Sequence, residues 1–140
     1  MIITRSVATR RPAAEVFAYL SDFTTTTEWD PGTVLTERVD GDGGVGTRYA
    51  NRSRFNGRET SLVYEVIEFV PNEKIVLRGE NATVTAIDTI TTTAVFDGTK
   101  VTYSADFTFK GIAALAAPFL RGAFRKLGDE AEAGLRKALS

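Results

Sequence analysis

The sequence predicts an α+β fold in which one long C-terminal helix lies across an antiparallel sheet. Two observations carry this. Between positions 112 and 139 the apolar residues fall at Ile112, Leu115, Ala116, Phe119, Leu120, Ala123, Phe124, Leu127, Ala131, Leu135, Ala138 and Leu139, the spacing of one helix face. Arg121, Arg125, Lys126, Asp129, Glu132, Arg136 and Lys137 fill the opposite face. At ~1.5 Å per residue, a helix of that length measures about 40 Å and needs a broad apolar surface to lie on. Residues 33–109 supply one, because they read almost entirely as strands. A long helix laid on a long sheet tends to enclose a cavity.

Each element has its own signal. Residues 2–9 are rich in β-branched side chains and read as a first strand. Arg10-Arg11-Pro12 ends it, and Pro12 suits the start of a helix, where its missing N–H costs nothing. Val16, Phe17 and Leu20 give a short amphipathic helix over 12–21, and 24–29 gives a second, stopped by Asp30-Pro31-Gly32. Residues 34–40 form the second strand. The run Gly41-Asp42-Gly43-Gly44-Val45-Gly46 matches G-x-G-x-x-G in letters, but a dinucleotide loop must open a helix, and residues 47–55 read as a strand. The glycines are therefore assigned to a hairpin loop. Asn56-Gly57, Pro71-Asn72, Asn81 and Asp97-Gly98 then separate strands at 59–70, 74–80, 83–96 and 99–109. Pro118 places a kink or a lead-in turn inside the final helix.

Composition narrows the chemistry. The 140 residues are expected to form a single domain, 1–140, of ordinary composition, and a formal net charge of −1 gives no reason to expect nucleic acid as a partner. Cysteine and histidine are both absent. That removes disulfides, thiolate nucleophiles, Cys/His metal sites and every His-dependent triad. Acid–base work falls to Asp, Glu, Tyr, Lys or water. No metal and no cofactor are expected. Without a signal-like start or a run of ~20 apolar residues, the expected location is cytoplasmic, with no membrane insertion.

Strand alternation assigns the faces. Val101, Tyr103, Ala105, Phe107 and Phe109 face the helix; so do Leu62, Tyr64 and Val66, and Tyr49, Asn51, Ser53 and Phe55. Arg48, Arg52 and Arg54 face solvent, within reach of Glu59 and Glu65. The Thr-rich strand is ambiguous; Ala86, Asp88, Ile90 and Thr92 are taken as its inner set, with Ile87, Thr89, Thr91 and Thr93 as the alternative. The interior then collects Tyr49, Asn51, Tyr64, Asp88 and Tyr103. Each of these left unpaired in a solid core costs ~1–3 kcal/mol, so they are more economically placed around a cavity. Trp29 either caps the core beneath the short helices or lines the pocket mouth.

Several motifs together resemble the START-like (helix-grip, SRPBCC) superfamily across the whole chain. They are Arg11-Pro12-Ala13-Ala14-Glu15-Val16-Phe17, Trp29 before its turn, Gly44-Val45-Gly46-Thr47-Arg48-Tyr49, Tyr64-Glu65-Val66-Ile67-Glu68-Phe69-Val70-Pro71 and Asp97-Gly98-Thr99-Lys100-Val101-Thr102-Tyr103. The polyketide cyclase/dehydrase-type branch is the one they resemble. The resemblance implies a curved seven-stranded antiparallel sheet wrapped around the C-terminal helix, with two short helices after the first strand and an apolar cavity between sheet and helix. These are turn and core motifs, so they carry no reaction site with them.

Two functions compete. In the first, a carrier or sensor binds a small hydrophobic or amphipathic molecule in a cavity of about 300–1,000 Å³. Its expected lining is Tyr49, Asn51, Tyr64, Asp88, Tyr103, Phe107, Phe119 and Leu120, with Phe17 and Trp29 nearer the mouth. In the second, an aromatase/cyclase or dehydratase uses Asp88 as acid or base, with Tyr64 or Tyr103 bonding a developing enolate.

Overall fold

The computed structural model describes residues 1–140. The chain runs β1 (Ile2–Thr9), α1 (Ala13–Ser21), a 3₁₀ turn (Phe23–Thr25), α2 (Thr26–Trp29), β2 (Thr33–Asp40), β3 (Arg48–Phe55), β4 (Arg58–Val70), β5 (Lys74–Glu80), β6 (Val84–Val95) and β7 (Gly98–Phe109). It ends in α3 (Ala113–Ala116), a second 3₁₀ turn (Ala117–Leu120) and α4 (Arg121–Ala138). One antiparallel seven-stranded sheet has the order β1-β7-β6-β5-β4-β3-β2. Consecutive strands are neighbours from β2 to β7, so hairpins build most of it. β1 and β2 end on opposite edges, and α1 and α2 carry the chain between them.

The hairpin turns follow their residue chemistry. Asn56 and Gly57 both take positive φ (51° and 78°), as a two-residue turn between twisted strands requires. The β6–β7 turn differs from expectation. Val95 pairs with Gly98, so Phe96 and Asp97 form the turn and Gly98 belongs to the strand. A side chain on Gly98 would collide with the backbone of Thr9 and Arg10, so the glycine serves the close approach of the end of β1.

The inner faces match the alternation. Leu62, Tyr64, Val66, Ala86, Asp88, Ile90, Val101, Tyr103 and Ala105 are buried. Arg48, Arg52 and Arg54 lie exposed on the convex face, where Arg52 pairs with Glu59 at 3.2 Å. The ambiguous Thr-rich strand thus resolves in favour of the set containing Asp88.

The C-terminal segment departs from one continuous helix. Pro118 has no N–H to give, and residues 117–120 tighten into a 3₁₀ turn between α3 and α4. Only α4, 18 residues and about 27 Å long, lies on the body of the protein. It buries Phe124, Gly128, Ala131 and Leu135 and is tied to β1 by Arg5–Asp129 at 3.0 Å. Ile112, Leu115 and Phe119 are 87%, 74% and 88% exposed, so the apolar stripe continues past the end of the surface it was expected to cover. Leu135→Ala should therefore cost about 3 kcal/mol in a urea melt, whereas Phe119→Ala should stay within ~0.5 kcal/mol. Equal losses in the two variants would mean that α3 and its turn are seated on the protein after all. No helix is long and apolar enough to cross a membrane.

Candidate functional site

The concave face of the sheet is filled unevenly. Under α1 and the first 3₁₀ turn it is solid. Phe17 packs edge-on against Phe69 with centroids 5.4 Å apart, and Phe23 covers Tyr49 and Tyr64 at 5.8 and 5.0 Å. Towards α4 the filling stops and leaves a partly enclosed cavity of about 150 Å³. Tyr64, Gly79, Ala86 and Phe107 stand in one row across the sheet, and the Tyr64 ring lies over Gly79, where a Cβ would collide with it.

The cavity walls come from four directions. β3 and β4 give Asn51, Ser53, Phe55, Thr60, Leu62 and Tyr64; β6, β7 and the turn before β6 give Thr83, Val84, Asp88, Tyr103, Phe107 and Phe109. Phe124 and Leu127 of α4 form the roof. Phe23, Thr26, Trp29, Asp30, Gly32 and Thr33 close the remaining side. Phe124 is the hub of an aromatic cluster, with Phe55, Phe107 and Phe109 at 4.6, 4.9 and 5.6 Å.

Asp88 is the central polar group. It lies between Leu77 and Ala105 on neighbouring strands and is 4% exposed. Its Oδ2 accepts a long hydrogen bond of 3.3 Å from the Tyr103 hydroxyl, while Oδ1 has no partner. Burial, reinforced by the charge of Asp30, pushes its pKa up to about 7, against the opposing pull of the Tyr103 hydrogen bond. Asp88 therefore exchanges its proton near neutrality. Burial also raises the pKa values of Tyr64 and Tyr103, so both phenols keep their protons as donors.

Asp30 is the residue that sequence reasoning missed. The sequence marks it only as part of a helix stop, and that role is real: its Oδ1 accepts from the Gly32 N–H at 3.0 Å and its Oδ2 from the Thr33 hydroxyl at 3.1 Å. The same turn brings its carboxylate to the cavity wall. Burial raises its pKa, opposed by those two hydrogen bonds and assisted by the nearby charge of Glu130. No periodicity argument reaches a turn residue. The one available signal was its place directly after the sole tryptophan, which itself faces the interior.

The expected site residues divide into two groups. Trp29, Asn51, Tyr64, Asp88, Tyr103 and Phe107 meet at the cavity. Trp29 is 1% exposed within the core, its ring lies edge-on to Tyr103 at 5.4 Å, and it contributes to the cavity wall. Asn51 is already engaged, donating to Thr36 Oγ1 at 2.9 Å and accepting from Ser53 at 2.8 Å, so its role is largely to hold β2 and β3 together. Phe17 and Tyr49 sit in the solid half of the core, away from the cavity. Phe119 and Leu120 also lie outside it, because the 3₁₀ turn carries them beyond the roof. Phe124 and Leu127, one and two helical turns further on, take their place. The cavity is also smaller than expected, at about 150 Å³, with the Phe124 cluster packed at its α4 side. No three acidic residues stand close enough together to hold a metal ion.

A curved antiparallel sheet gripping a C-terminal helix around an aromatic cavity defines the helix-grip class of protein. The chain belongs to the family described as polyketide cyclase / dehydrase and lipid transport, whose model matches residues 1–139. No curated protein sequence matches it. Among solved structures, it is similar to the Zhui aromatase/cyclase from a Streptomyces species, with a TM-score of 0.84 at 13% identity over 99% of this chain and 93% of that one. It is also similar to a protein from Thermus thermophilus, with a TM-score of 0.81 at 15% identity over 99% and 97% of the two chains. A START superfamily protein from Mycobacterium smegmatis gives 0.79 at 12% identity over 99% and 96%. At such identities the likeness is one of fold.

Proposed function

We propose that the chain, acting as one domain, is a binding protein for a small, largely apolar molecule held between the sheet and α4. The observation that carries this reading is Asp88, a residue of the cavity wall whose Oδ1 is buried without a hydrogen-bond partner. A closed core does not retain such an atom without penalty, whereas a ligand group supplies its missing hydrogen bond. A volume of about 150 Å³ suits a single-ring compound, since apolar cavities near that size take up benzene. NMR titration of the labelled protein with single-ring compounds should move the resonances of Leu62, Tyr64, Tyr103 and Phe124 and leave those of Phe17 and Phe69 in place. Shifts confined to the convex face of the sheet would overturn the reading.

A second reading, an aromatase/cyclase or dehydratase, has one observation in its favour. Asp88 titrates near neutrality beside two phenols that stay protonated, the arrangement a proton transfer next to a carbonyl requires. Asp88→Asn separates the two. In a binder the change weakens affinity by about 5- to 150-fold. In an enzyme it lowers turnover by ~10²–10⁴ while affinity is nearly kept. The family spans transport as well as cyclisation, and both readings use the same cavity.

A further inference from the structure

The charge balance of the cavity goes beyond a general affinity for apolar molecules. Two carboxylates, Asp30 and Asp88, belong to its wall, and no Lys or Arg does. A carboxylate taken out of water is ordinarily matched by a cation. Here the protein leaves that partner out. Asp30 has its own two hydrogen bonds, from Gly32 and Thr33, which favour its charged form. Asp88 Oδ1 has none. The rest of the wall is rich in aromatic rings, including Phe23, Trp29, Phe55 and Phe124, and ring faces attract cations.

We propose that the ligand is a small organic cation, a primary or secondary amine on a single aromatic or compact apolar body, whose ammonium group donates to Asp88 Oδ1. The inference rests on the ligand-binding reading and gives it a chemical class. The groups that face Asp88 are Asp30 from the turn after α2, Tyr64 from β4 and Tyr103 from β7, with Glu130 of α4 acting on Asp30. Every one of these is acidic or neutral. An ammonium ion thus relieves the repulsion between the two carboxylates, which a neutral hydroxyl leaves in place and a bound carboxylate increases. Binding of the amine draws the proton off Asp88, so affinity rises with pH through the range in which that carboxyl ionises.

The test compares benzylamine, benzyl alcohol and benzoate, which share one ring and differ in charge. Each is titrated by NMR into the full chain and into Asp88→Asn, at pH 6 and pH 8. Benzylamine should bind about tenfold or more tightly than benzyl alcohol at pH 8, with a smaller preference at pH 6, and benzoate should bind least. Asp88→Asn should erase the preference for the amine, with benzylamine losing about tenfold or more in affinity at pH 8 and benzyl alcohol losing less. Benzyl alcohol binding as tightly as benzylamine in the wild type, or the preference surviving in Asp88→Asn, overturns the proposal while leaving the ligand-binding reading intact. If none of the three moves the cavity resonances, the ligand-binding reading falls, and this inference with it.

Discussion

Gly134→Val is expected to abolish folding or to cost at least about 4 kcal/mol, although the residue lies on a single helix with no part in the site. Position 134 of α4 sits directly against the end of α2. A Cβ there would overlap the carbonyl oxygen of Trp29 and crowd Pro31. That obstacle is backbone, held in turn by the Asp30–Gly32–Thr33 hydrogen bonds, so it has little freedom to yield. Overpacking a well-ordered core costs ~1–3 kcal/mol when side chains can adjust, and more when they cannot. Even Gly134→Ala should destabilise by about 2 kcal/mol, against the ~1 kcal/mol that alanine normally contributes over glycine in a helix. Gly122 supplies the control. It is in the same helix with open space around it, and Gly122→Ala should stabilise by roughly 0.5–1 kcal/mol. Urea melts of the three variants decide the matter, and the same sign at both positions would mean that α4 does not press on α2.

Asp88→Asn should make the protein more stable, by up to about 4 kcal/mol at pH 8. The carboxyl's pKa is raised from 3.8 unfolded to about 7 folded, so the folded state holds its proton more tightly. Its contribution is complete below about pH 4 and is lost as pH rises through about 7. Asparagine keeps an acceptor for Tyr103 and has nothing to ionise. The gap between variant and wild type should therefore widen by ~2–3 kcal/mol between pH 5 and pH 8. A constant gap would mean that Asp88 is solvated or already paired. A gain in stability accompanied by a loss of ligand affinity is what a carboxylate kept for function predicts.

The strands and their faces can be read from the sequence because alternation reports burial directly. Tyr64, Asp88, Tyr103 and Phe107 are assigned inward on that basis, and the ambiguity at β6 is settled by Ala86 and Ile90 sharing a buried face with Asp88. The C-terminal helix is less legible. Its apolar stripe is continuous from Ile112 to Leu139, and periodicity marks which residues share a face without saying where the surface beneath them ends. Pro118 holds the missing information, since it separates the part that packs from the part that does not. The site is half legible. Residues on strands fall into place, whereas Asp30, Phe23 and Thr26 lie on a turn and two very short helices, where position depends on capping and packing and leaves no period to detect. The extent of the cavity is illegible for a similar reason, because how far Phe124 fills it depends on where α4 comes to rest.

The sheet order also sets a timetable for the nascent chain. β1 pairs only with β7, from Ile2 with Asp106 to Thr9 with Thr99, and the amino group of Met1 bonds the Phe107 carbonyl. β1 thus leaves the ribosome well before its only partner strand. Roughly a hundred residues intervene, on the order of 10 s of synthesis at ~5–20 residues per second. The β2–β6 hairpins can form in that interval from local contacts alone, while β1 stays an unclaimed strand carrying Ile3 and Val7 on one face. Arg5 projects within that strand and keeps a charge on it until Asp129 arrives on α4. Vulnerability to misassembly is then concentrated in one short window, and it closes when β7 emerges.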